Sequence, residues 1–222
     1  MIPLLFILIA AIAYALGAVN TYQLLSRFIF SKDLRKIGNK KISRANFVRA
    51  FGNQWGYIAI AVDVIKAAIA VLAGGLLMLI VNQDGTYTVI GRLFAGFCMT
   101  LGSIYPIHHQ FRGTKGVAAC ITALWLSDWR VGLVVTAVFI GVVAFSQYVS
   151  LAGMCACAMG AVAMWLFIAT ENMRGTCGTL ALFMALAVIW RQRGSIIRIL
   201  NKREPKVKWG RAQTDRRMKD DF

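Results

Sequence analysis

Seven stretches of this 222-residue chain are long, apolar and nearly free of charge: 2–19, 58–82, 93–101, 117–126, 131–147, 151–169 and 178–190. Nothing else in the sequence constrains the fold as tightly. Several approach the roughly 20 residues with which a helix crosses a bilayer. In hydrocarbon the backbone must satisfy its own hydrogen bonds, so a helix is the form such runs take. The chain is 59% hydrophobic and 15% charged, which excludes an ordinary soluble domain. The expectation is an all-α integral membrane protein with seven transmembrane helices, one or two of them short.

The net charge of +16 would suggest nucleic acid in a soluble protein, but its placement argues for no nucleic-acid role. Eight Lys and Arg fall within 27–49 and eleven more from Arg191 onward, while 83–88 and 147–153 carry none. Cytoplasmic loops collect such cations. Seven crossings with 27–49 in the cytoplasm put the N-terminus outside, 102–116 inside, and the C-terminus inside. Residues 2–19 lack the basic leader of a signal peptide and are longer than its apolar core. A single membrane-embedded domain over 1–206 and a basic, polar cytoplasmic tail over 207–222 are expected, the tail suited to anionic membrane lipid. The five cysteines lie in or beside apolar runs without CxxC spacing, and no His/Cys/carboxylate cluster has metal-ligand spacing. No metal, no organic cofactor and no obligate protein partner is therefore inferred.

Polar residues concentrate in three of the inward segments. The first, IGNKKISRANFVRAFG at 37–52, leads into a span that holds DVIK at 63–66. Asp63 and Lys66 share a helix face. An ionisable pair in an apolar span reads either as a functional site or as an ion pair that fastens helices. The second, GSIYPIHHQFRGTKG at 102–116, places Arg112 and Lys115 among Gly113 and Gly116, just before a short helix. Free amides at a helix N-terminus favour an anion, whereas the same cations also serve as headgroup anchors. The spacing is not that of a nucleotide-binding P-loop. The third, RQRGSIIRILNKREPK at 191–206, sets Arg191, Ser195 and Arg198 at helical spacing opposite Ile196, Ile197, Ile199 and Leu200. That face reads as a basic, lipid-contacting helix end.

Together these segments resemble the bacterial acyl-phosphate:glycerol-3-phosphate acyltransferases, the membrane-embedded PlsY family, from about 16 to 206. The family's first motif runs approximately IGSGNPGATNVLRxLG with DxxKG in the next span. Ile37, Gly38, Asn46, Val48, Arg49, Gly52, Asp63 and Lys66 match it. The second runs close to GHxxPxxxxFxGGKGVA, matched by Gly102, Pro106, Phe111, Gly113, Lys115, Gly116, Val117 and Ala118. The third, RHRxNIxRLxxGxEPK, is matched by Arg191, Arg193, Ile196, Arg198, Leu200, Glu204, Pro205 and Lys206. Three motifs in order make the resemblance specific.

The resemblance implies transfer of a fatty acyl group from acyl phosphate to the 1-hydroxyl of glycerol 3-phosphate, giving lysophosphatidate for phospholipid synthesis. It implies a multi-pass protein of the bacterial cell (inner) membrane whose site faces the cytoplasm. Carried over by motif, Lys115, Arg49, Ser195, Gln192 and Asn39 fall on the catalytic positions. Gly38, Arg44, Asn46, Arg112, Gly113, Thr114 and Gly116 fall on phosphate-binding ones, and Asp63, Lys66, Ser103, Arg198 and Glu204 support them. The departures are chemical. Asn39 stands where the family has serine, Ser103 and Gln192 where it has histidine, Thr114 where it has glycine, and Ser195 where it has asparagine. Gln192 is no general base, and losing one costs roughly 10²–10⁴ in rate. A catalytically degenerate relative that binds phospholipid precursors or a partner, and a small membrane transporter, stay open at this point.

Overall fold

The computed structural model describes residues 2–38, 42–81, 87–107, 111, 113–168 and 171–201. Ten helices make up nearly all of it. They are α1 (Ile2–Ala18), α2 (Thr21–Phe28), α3 (Arg44–Phe51), α4 (Asn53–Val81), α5 (Thr88–Ile104), α6 (Val117–Ser127), α7 (Trp129–Ser146), α8 (Val149–Phe167), α9 (Glu171–Arg191) and α10 (Arg193–Leu200). The all-α expectation holds for every described segment.

By length and apolar composition α4, α7, α8 and α9 can each cross a membrane, and the α1–α2 pair, bent by 53°, makes a fifth. The two remaining apolar helices are shorter. At about 1.5 Å per residue, the 17 residues of α5 span roughly 26 Å and the 11 of α6 only about 17 Å. A hydrocarbon core is about 30 Å thick, so α6 alone cannot cross it. The seven apolar stretches thus become seven apolar helices, of which four, or five with the bent pair, have full crossing length.

Side-chain size is distributed as lipid requires. Along α4, Ile65, Ile69, Leu72, Leu76 and Ile80 are exposed, whereas Ala67, Ala70, Val71, Gly74 and Gly75 are buried. Large apolar groups face outward and small ones face neighbouring helices, because close backbone approach replaces hydrophobic burial as the source of packing in a bilayer. The central helix α5 packs on α1, α4, α6 and α9. Its contact with α1 has no room for a side chain: a Cβ on Gly102 would lie 2.4 Å from the Tyr14 carbonyl oxygen, and one on Gly17 2.3 Å from that of Met99.

The break between α1 and α2 is held by polar contacts. Asn20 caps α2, its Oδ1 accepting from the backbone N–H of Tyr22 at 3.1 Å. Lys66 of α4 donates to the Val19 carbonyl at 2.6 Å, to Thr21 Oγ1 at 2.8 Å and to Asp63 Oδ1 at 3.3 Å. The Thr21 hydroxyl donates to the same Asp63 oxygen. Asp63 and Lys66 thereby pin α4 to the bend. Beyond the bend, Tyr22, Leu34, Phe47 and Ala59 form a small buried cluster, with Phe30 stacked on Phe51 at 3.9 Å. This cluster seats α2, the 30–38 turn and α3 on the start of α4.

Candidate anion site at one end of the bundle

The helix ends that carry the polar segments collect at one end of the bundle. After Ile104 the chain leaves α5 through Tyr105 and Pro106, and the 113–116 strand of loop turns back over the same helix end. The Gly113 N–H donates to the Ile104 carbonyl at 3.1 Å and the Thr114 N–H to that of Ser103 at 2.8 Å. Thr114 Oγ1 adds a second donation to Ser103 at 3.3 Å. Carbonyls left over at a helix C-terminus thereby find partners, and the loop is fixed on α5.

Glycine is required at both ends of this turn, for different reasons. A Cβ on Gly113 would stand 2.1 Å from the Ser103 carbonyl oxygen. Gly116, with φ of +71°, is left-handed, and a Cβ there would also meet Ile104 at 2.7 Å. Gly116 is the N-cap of α6 and has no side chain with which to cap it. Helix α8 likewise opens without a side-chain cap. Lys115 lies between them, its Nζ donating to Ser150 Oγ at 2.6 Å in the first turn of α8. An ammonium beside the positive end of a helix dipole is unfavourable by roughly 0.3–1 kcal/mol. The same arrangement becomes favourable when an anion enters it.

The opposite wall comes from α9 and α10. Arg191, in the last turn of α9, donates Nη2 to the Gly113 carbonyl at 2.8 Å. Gln192 and Ser195 follow, 1% and 2% exposed. Arg198 donates Nη2 to Ser195 Oγ at 2.9 Å, so the i, i+3 spacing read from the sequence is a contact. An apolar groove lined by Phe97, Leu101, Phe183, Leu186, Trp190 and Ile196 runs between α5, α9 and α10, with Arg193 also in its lining.

The structure thus joins the second and third segments through Arg191 and Gly113: Ser103, Gly113, Thr114, Lys115 and Gly116 lie on one side of that contact, and Ser195 and Arg198, bonded to each other, follow Arg191 on the other. Among the described residues, the first segment is built by contacts with the 34–38 turn, α2 and α4. Asn46, 2% exposed, donates Nδ2 to the carbonyls of Ile37 and Leu34 at 3.0 and 3.3 Å. Gly38, at φ +55°, packs against its Oδ1. Asn46 is therefore the clamp of the 34–38 turn. Ser43 caps α3, and Arg44 and Arg49 sit exposed on that helix, whose main neighbours are α4 and α2. Helix α4, on which α3 rests, packs on α5 and α6, and α1 packs on α5 with its Tyr14 hydroxyl donating to the Tyr105 carbonyl at 2.6 Å. Asn39, Arg112 and Glu204, with His108, His109 and the 207–222 tail, lie outside the described residues. Sequence reasoning missed Ser150, Tyr14 and Thr21. None is charged or part of a recognisable spacing, so no signal marked them. Among the described residues no three His, Cys, Asp or Glu side chains gather to hold a metal ion.

Fold and site define an integral membrane protein with a glycine- and lysine-bearing loop where several helix ends meet. Comparison with known proteins makes that class specific. The family model for glycerol-3-phosphate acyltransferase matches residues 7–202. Curated glycerol-3-phosphate acyltransferases of Clostridioides difficile and Geobacillus kaustophilus are 32% and 36% identical to this chain. Each alignment covers 91% of the chain, and 95% and 96% of the respective relative. The crystal structure of PlsY (YgiH), an integral membrane glycerol 3-phosphate acyltransferase, in its glycerol 3-phosphate form, superposes with a TM-score of 0.74 at 25% identity. That match covers 91% of this chain and 96% of that one. The chain belongs to the glycerol-3-phosphate acyltransferase family.

Proposed function

We propose that this protein transfers a fatty acyl group from acyl phosphate to the 1-hydroxyl of glycerol 3-phosphate at the cytoplasmic face of a bacterial inner membrane. The hydroxyl oxygen attacks the acyl carbon, the bond from that carbon to the phosphate oxygen breaks, and inorganic phosphate leaves. The hydroxyl proton ends on the departing phosphate, so atoms balance without an outside base. An acyl phosphate is already activated; what remains is to hold two anions in register and stabilise developing charge.

The observation that carries this reading is Lys115, held between the uncapped starts of α6 and α8 by a loop that Arg191 and two glycines fix in place. In it Lys115, Gly113, Thr114, Gly116 and Arg112 take a phosphate. Arg49, Arg44, Gly38 and Asn39 serve the second anion. Ser195, Gln192 and Arg198 serve from the α9–α10 side, Ser103 from α5, and Glu204 supports them by its place in the motif. The groove between α5 and α9 suits an acyl chain whose charged end lies toward Arg193. Seven apolar helices with the C-terminus inside keep all these groups on one side, and α6 reaches the site by a partial crossing.

Purified protein in detergent, given acyl phosphate and glycerol 3-phosphate, is expected to release phosphate. Lys115→Ala is expected to lower that rate by roughly 10²-fold or more, the scale of losing a charge-stabilising donor. The replacements at Asn39, Ser103, Gln192 and Ser195 favour a second reading, a family member that binds its ligands without turnover. Binding of either substrate with no phosphate release decides for it. Binding of neither, with solute passage through liposomes, decides for a transporter instead.

A further inference from the structure

The end of the bundle away from the anion loop carries a charge of its own. Helix α8 starts beside Lys115, at Ser150, and α9 finishes beside the same loop, at Arg191. The end of α8 and the start of α9 therefore lie at the opposite end. There Arg174, in the first turn of α9, reaches across to α8 and donates Nε to the Ile168 carbonyl at 3.1 Å. Ile168 is the C-cap of α8, a place where a cation is favourable. The rest of the guanidinium makes no hydrogen bond and no ion pair among the described residues. A cation in a membrane-spanning helix is costly without a partner, and function is its default explanation.

A groove begins one turn along from it. Ala161, Val162, Trp165 and Leu166 of α8, with Gly178 and Leu182 of α9, enclose about 270 Å³ without one charged side chain. Arg174, Gly178 and Leu182 recur every four residues, so they share one face of α9. Gly178 lets the Trp165 ring lie against the bare α9 backbone, since a Cβ there would stand 2.9 Å from Trp165 Cε3. There is also room beside Arg174: a Cβ on Gly175 would meet nothing within 4 Å. Trp165 is half exposed near the end of α8, where a membrane–water interface collects indoles.

We propose that this face of α8 and α9 binds an anionic phospholipid, its phosphate on Arg174 and a length of one acyl chain along the groove. The layout is that of an amphiphile, with one unmatched cation at the end of an apolar channel between two helices. The groove falls below the roughly 300–1,000 Å³ of pockets that enclose a whole small ligand, so the headgroup must be held outside it. A guanidinium suits that task, because its planar donors match phosphate oxygens in pairs. In the proposed orientation the lipid belongs to the outer leaflet, at the end of the molecule away from the anion loop.

Bromine on a lipid chain quenches indole fluorescence on contact, and Trp165 lines the groove. The full chain in phosphatidylcholine vesicles is titrated with brominated phosphatidylglycerol or, separately, brominated phosphatidylcholine. The Trp165 signal is the difference between each protein and its Trp165→Phe counterpart. In the parent it is expected to be quenched at a roughly fivefold lower fraction of the anionic lipid, the scale of one basic residue meeting lipid charge. Arg174→Lys is expected to keep that preference. Arg174→Gln, which removes the charge but retains a donor for Ile168, is expected to lose it. Added salt is expected to narrow the parent's preference, and this decides the matter should Arg174→Gln not fold. Equal quenching by the two lipids in the parent overturns the inference, as does a preference that survives Arg174→Gln or high salt. So does a Trp165 that neither lipid quenches, with the particle the size of a dimer, because a second copy then covers the groove.

Discussion

Gly116 concentrates two demands on one residue: a left-handed backbone and contact distance to Ile104. Gly116→Ala meets both, with φ of +71° and a Cβ 2.7 Å from an Ile104 carbon. A non-glycine residue held there costs about 1–3 kcal/mol, and relief by backbone movement would displace Lys115. The expected result is a lower Tm together with a fall in glycerol 3-phosphate turnover. Gly194→Ala is the control, since the nearest atom to its Cβ is the Arg198 guanidinium at 3.8 Å. That variant should behave as wild type in both measurements. At this scale the sequence was most readable where charge and glycine coincide, as at Gly113, Lys115 and Gly116. It was least readable at Ser150. Spacing along the chain does not register a serine that meets Lys115 from 35 residues away.

Among the elements, the bend between α1 and α2 is the least predictable from periodicity and the most dependent on side chains. Asp63 and Lys66 are partly buried, and together with Thr21 and Val19 they tie α4 to that bend. Asp63→Ala leaves the Lys66 ammonium without its counter-charge, which should cost about 1–3 kcal/mol at this degree of burial. If the pair fastens rather than reacts, kcat per folded molecule stays near the parent value while Tm falls. A kcat collapse at unchanged Tm would return the pair to the chemistry. The DxxK spacing announced that these two residues meet. It did not announce Thr21 and Val19, which arrive from another helix through the bend. Likewise the apolar run 93–101 became the longer α5, Thr88–Ile104, because small and polar residues such as Gly91, Arg92, Gly102 and Ser103 interrupt a hydropathy pattern without interrupting a helix.

On the scale of the whole molecule, the distribution of charge predicts an orientation that length alone does not settle, because α6 is too short to span the hydrocarbon unaided and enters the proposed topology as a partial crossing whose far end opens outward. The proposed topology puts the α6–α7 turn outside and α10 inside. In intact cells a membrane-impermeant thiol reagent should therefore label Arg130→Cys and spare Arg193→Cys until the membrane is opened. The reverse pattern would invert the protein and detach the site from cytoplasmic glycerol 3-phosphate. The family and its helical architecture were legible in three motifs and seven apolar runs. The contact of Arg191 with Gly113 was not, since motif order says nothing about which motifs meet. The central claim is that the loop uses an anion rather than merely holding one, and product stoichiometry tests it most directly. With acyl phosphate and glycerol 3-phosphate supplied to the purified protein, one lysophosphatidate is predicted for each phosphate released. Phosphate released with free fatty acid instead, or no phosphate released while both substrates bind, would contradict it.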